Sequence, residues 1–96
     1  MHITQGIKHL ASDRHCYWLI DAIRSYQPQL RKKQDLVEFQ LWELTVDLDK
    51  STAVLTCKAD KNEPPSVEQH IEFTDYPEKT AKFYVCDDVL MLPEEY

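Results

Sequence analysis

The apolar residues of this chain change period once. From Cys16 to Tyr26, CYWLIDAIRSY, they recur at helical spacing: Cys16, Leu19, Ile20, Ile23 and Tyr26 share one stripe, while Tyr17, Asp21, Arg24 and Ser25 share the opposite face. This is the densest apolar surface in the chain, so it predicts an amphipathic helix around which the other elements pack. Trp18 flanks the stripe, directed at a neighbour, the preceding helix; Asp21 lies within reach of Arg24, the spacing of a weak surface pair. Upstream, Ile7, Leu10 and Ala11 fall at i, i+3 and i+4, which predicts a short helix capped by Thr4 and running to about Ala11. Gly6, the only glycine, lies in its first turn, where it costs ~1 kcal/mol relative to alanine and therefore marks a contact point for another element. Ser12 or Asp13 is expected to cap the main helix and Pro28 to end it near Gln27, with QPQLRKKQD as connector.

From Val37 the period is two. Gln40, Trp42, Leu44, Val46 and Leu48 alternate with Phe39, Leu41, Glu43, Thr45 and Asp47, a strand whose later half is half-buried. After a polar turn, Ala53, Leu55 and Cys57 oppose Val54, Thr56 and Lys58, completing an antiparallel hairpin. ADKNEPPS is a loop; a third strand follows with Val67, Ile71 and Phe73 on one face and Glu68, His70 and Glu72 on the other. TDYPE reverses the chain into a fourth strand, Lys82 to Cys86, and a tight hairpin at Asp87 and Asp88 leads into Val89 to Leu92 as a fifth. Those four apolar residues should fix the tail to the body through Leu90 or Leu92 and the Tyr96 ring. The pattern predicts one α+β domain over residues 1–96: two N-terminal helices packed on one face of a four- or five-stranded antiparallel meander.

Composition narrows the class. Hydrophobic residues are 43% and charged residues 29%, and no apolar run approaches the ~18 residues needed to span a bilayer, so no membrane partner is expected. MHITQGIKHL has neither the cationic start nor the apolar core of a secretory signal, and three widely spaced cysteines are no disulfide framework; both point to the cytoplasm. Net charge is −6, divided unevenly: residues 1 to 33 carry six basic and two acidic groups, residues 34 to 96 five basic and fifteen acidic. The opposite charges can meet within the fold. The only basic cluster is Arg31, Lys32 and Lys33, too little for a duplex-binding surface.

Candidate chemistry is sparse. His2, His9, His15, Cys16, Cys57, His70 and Cys86 lack ligand spacing, so no metal and no cofactor are expected. Cys16 beside His15 is the one nucleophile candidate, but it also lies on the apolar stripe, where burial makes a thiol inert. A single glycine leaves no phosphate-binding loop. His70 between Glu68 and Glu72 is the polar group of most interest on the sheet, with Thr56 or Lys58 expected across from it. The leading expectation is a non-enzymatic binding or regulatory domain acting through a protein partner or self-association, with the edge residues Phe39 and Leu41 serving the partner. The alternative is a small enzyme or ligand-binding protein with a pocket between helix and sheet, using Cys16 with His9 or His15.

CYWLIDAIRSYQ, EFQLWELTV, AVLTC, IEFTDYPE and VLMLPEEY, in this order, resemble a small uncharacterised bacterial family of the domain-of-unknown-function kind. The resemblance implies a prokaryotic cytoplasmic setting and supplies no catalytic residues. It also implies relatives that extend ahead of the segment matching ITQGIKHLA, with Trp18 or Gly6 as the surface such an extension would cover.

Overall fold

The computed structural model describes residues 1–96. In chain order they form β1 (His2–Ile3), α1 (Gln5–Asp13), α2 (Tyr17–Leu30), α3 (Gln34–Val37), β2 (Phe39–Asp47), β3 (Thr52–Lys58), β4 (Val67–Ile71), β5 (Thr80–Cys86), β6 (Val89–Met91) and a closing 3-10 turn, Pro93–Glu95. The protein is α+β, with one six-stranded mixed sheet in the order β1-β6-β5-β2-β3-β4.

The expected antiparallel meander of four or five strands is corrected in two ways. His2 and Ile3 pair in parallel with Val89 and Leu90, adding a sixth strand that two residues could not announce by periodicity. β5 pairs with β2 instead of β4, so the chain crosses from one edge of the sheet to the far side of the central strand. Tyr76, 3% exposed, anchors that crossover in the core, and Thr74 Oγ1 accepts from its backbone N–H. TDYPE is thus a crossover pinned by two buried residues, Thr74 and Tyr76, not a plain reversal.

The first helix starts as its cap predicts, with Thr4 Oγ1 accepting from Ile7 N–H, and runs two residues beyond Ala11. The second differs at both ends. His15 takes φ 54°, breaking the chain before Cys16 caps α2, so neither Ser12 nor Asp13 does. Pro28 lies inside the helix, not after it. The restriction that proline places on Gln27 is offset because the buried Gln27 amide is tied to the Ile23 carbonyl and to Gln40. The connector holds α3, and Asp21 does not pair with Arg24, whose Nη2 reaches the Met1 carbonyl.

The core lies between the helices and one sheet face: Leu19, Ile20, Ile23 and Leu30 of α2 and Ile7 of α1 against Trp42, Leu44, Leu55, Phe83, Val85 and Leu90. Ala53, Leu55 and Cys57 point inward as their alternation predicts. Trp18 is half-buried against the same cluster. Phe73 does not join it; it lies past the end of β4, 74% exposed. Asp87 and Asp88, at φ 50° and 67°, make the tight hairpin expected between β5 and β6, since a two-residue turn with both central φ angles positive matches the strand twist. No helix is long and apolar enough to cross a membrane.

Candidate functional site

With Gln40, Trp42, Leu44 and Val46 turned to the helices, the alternate residues of β2 face outward, and no helix covers that face. Strand register lays it out in rows. Val89, Cys86 and Phe39 form the first; Met91, Tyr84, Leu41 and Lys58 the second; Lys82, Glu43, Thr56 and Glu68 the third; Thr80, Thr45, Val54 and His70 the last. Apolar residues occupy one corner and polar ones the opposite corner.

The apolar corner is built around three rings. Phe39 and Tyr84 meet edge-on with centroids 5.1 Å apart, and Tyr96 closes on both, at 5.6 and 5.4 Å. Such packing is favoured by the ring quadrupoles. Leu41 beside them faces outward yet is only 7% exposed, while Tyr96 keeps 72% of its surface in water. An open groove of about 370 Å³ is lined by Phe39, Leu41, Tyr84, Lys82 and the Ala59–Lys61 loop, which sets Asp60 beside the two lysines. Lys58 reaches toward Glu43 at 3.8 Å.

Tyr96 is held there by the tail. Leu90 is 1% exposed and Leu92 packs on the core, as expected of the apolar run. The Glu95 carboxylate accepts from Thr4 Oγ1 at 2.6 Å and from Leu92 N–H at 2.9 Å, and these bonds lower its pKa. A Cβ on Gly6 would lie 2.8 Å from that carboxylate. Gly6 is therefore a contact point, and its partner is the chain's own end. No sequence signal singled out Tyr84, Met91 and Tyr96 together, because a corner shared by three segments is visible only in the register.

The other candidates distribute as follows. Phe39 and Leu41 lie in the apolar corner, on an interior strand and not at an edge. Glu68 and His70 share the outer face, exposed on the edge strand β4; Glu72 falls beyond the strand's end. Opposite His70 stands Val54, and opposite Glu68 Thr56, in place of the expected Thr56 or Lys58 across from the histidine. On the helix side, Cys16 is 1% exposed with Sγ 3.9 Å from the Leu10 carbonyl. Burial pushes its thiol up, against the lowering effect of Arg14, and burial pushes Cys57 up to about 12. His9 and His15 are exposed, and the void between helix and sheet is about 10 Å³ with a wholly apolar lining. No group of three or more His, Cys, Asp or Glu side chains is disposed to hold a metal ion.

A family described as of unknown function (DUF6876) matches the chain over residues 1–96. No curated protein and no solved structure matches it.

Proposed function

This chain belongs to that family of unknown function, and on that premise we propose that it is a non-enzymatic binding or regulatory domain of the bacterial cytoplasm whose outer sheet face docks a protein. The observation that carries the reading is the ring trio of Phe39, Tyr84 and Tyr96 on the sheet face turned away from the helices. Rigid aromatic groups give large contact area at small conformational cost, and tyrosine is enriched where proteins meet. The groove beside these rings, lined by Lys61, Lys82 and Asp60, favours a segment that brings apolar side chains to the rings and polar groups of both signs to the groove's walls.

The alternative, a Cys/His enzyme working between helix and sheet, finds little support in a void of about 10 Å³ and a thiol pushed up by burial. Affinity capture from the native host, run side by side with the wild-type chain and a Tyr96→Ala, Met91→Lys double variant, tests the docking reading. A specific protein retained by the wild type and lost by the folded double variant is the expected result. Equal capture by both would sink the assignment of this corner.

A further inference from the structure

β4 ends the sheet with one side of its backbone unpaired. Which groups it presents follows from the ladders. Val46 N–H donates to the Lys79 carbonyl and Asp87 N–H to the Glu38 carbonyl, so even-numbered residues of β2 bond toward β5. Antiparallel alternation then sends odd-numbered residues of β2 toward β3, and odd-numbered residues of β3 toward β4. Val67, Gln69 and Ile71 bond inward to β3, which leaves the N–H and C=O of Glu68 and His70 directed off the edge.

The edge lacks the usual protection. Neither lysine nor proline occurs within VEQHI, and Val67 and Ile71 are half-buried apolar residues there. A two-fold antiparallel pairing must set outward-bonding residues against one another, which allows a centre on any of the five strand residues. A centre on Val67 would need Ser66 as an outward partner and one on Ile71 would need Thr74, but both N–H groups already donate inward, to the Cys57 and Ser51 carbonyls, so three centres remain. Centring on Glu68 sets carboxylate against carboxylate; centring on His70 sets His against His and Glu68 against Glu72. Centring on Gln69 sets Glu68 against His70 twice and Val67 against Ile71 twice.

We infer that a second copy of this chain pairs with β4 in this last register, making the sheet continuous across a two-fold axis at Gln69. The two Glu68–His70 pairs exchange backbone bonds and also set an imidazole N–H before a carboxylate. The ladder stops at the ends of the strand, where Ser66 and Thr74 N–H already donate inward to the Cys57 and Ser51 carbonyls. The pairing does not depend on the partner reading of the aromatic corner, which lies across β2, β5 and β6.

Sedimentation of the full chain over a wide concentration range tests it, because a five-residue ladder is a small interface and its dimer belongs to the weak class. The mass should rise from 11.4 kDa toward twice that value. His70→Pro removes only an outward N–H and should give a folded monomer. His70→Glu, which faces Glu68 with a like charge, should weaken pairing roughly tenfold or more, and the exchange Glu68→His with His70→Glu should restore it. A wild-type chain that stays monomeric at about millimolar concentration overturns the inference, as does a dimer unchanged by His70→Pro and His70→Glu. Loss of a captured protein through the Tyr96→Ala, Met91→Lys double variant, with this dimer intact, bears only on the docking reading.

Discussion

Gln40 occupies an inward position on β2 and is 1% exposed, yet every polar atom of its amide is used. Its Nε2 donates to Gln27 Oε1 and the Leu36 carbonyl, and its Oε1 accepts from Gln27 Nε2 and Trp42 Nε1. The period-two pattern placed Gln40 inward, but nothing in the sequence announced Gln27 as its partner, because Gln27 lay where proline was expected to end the helix. Gln40→Leu conserves volume but strands three buried groups, and should destabilise the fold by about 3 kcal/mol in urea unfolding. The thiols make a second expectation at this scale. Iodoacetamide should modify half-buried Cys86 in the native protein and reach Cys16 and Cys57 only on unfolding. Cys57 has a folded pKa of about 12 against an ordinary value of 9.0, so the folded state holds its proton where the unfolded state loses it. Its contribution is complete below pH 9.0 and is lost as pH rises toward 12, and Cys57→Val should show a shallower decline of stability across that window.

At the scale of elements, boundaries set by side chains within the element were legible, and those set by distant contacts were not. Thr4 caps α1 through its own hydroxyl, and the Asp87–Asp88 turn needs only its own two residues. The left-handed His15, the proline accepted inside α2 and the buried Tyr76 that turns a reversal into a crossover all depend on tertiary packing. Half of the candidate site was legible on the same grounds: alternation put Phe39, Leu41, Glu68 and His70 on faces, and only register could say which faces met. Gly6 links two elements, since its missing Cβ makes room for the Glu95 carboxylate at the start of α1. Gly6→Ala gains helix propensity of ~1 kcal/mol but must displace that carboxylate from Thr4 and Leu92. Thermal unfolding should therefore show Gly6→Ala raising the melting temperature more in a Glu95→Ala background than in the wild type; equal increments would mean that the two do not interact.

For the molecule as a whole, the uneven charge of the sequence is partly resolved inside the fold. Arg14 of the basic segment pairs with Glu78 of the crossover, and Arg31 with Asp88 of the β5–β6 turn, so both ion pairs join the helical segment to the strand segment. These are exposed pairs of small individual worth; they orient the two layers more than they stabilise them. Fold class was legible because the change of period divides the chain in two. Strand order was not, because alternation says which way a side chain faces and nothing about which strand lies beside it.

The pairing of His2 with Val89 and Ile3 with Leu90 also bears on how the chain is made. β1 has β6 as its only partner, so that edge of the sheet cannot form until residues 89–91 have left the ribosome. Until β5 and β6 emerge, Ile7, Leu19, Ile20 and Ile23 lack Phe83, Val85 and Leu90 to pack on. A nascent chain halted after β4 would carry an amphipathic helix pair and a half-covered sheet, and would depend on chaperones for the interval that β5 and β6 take to be added.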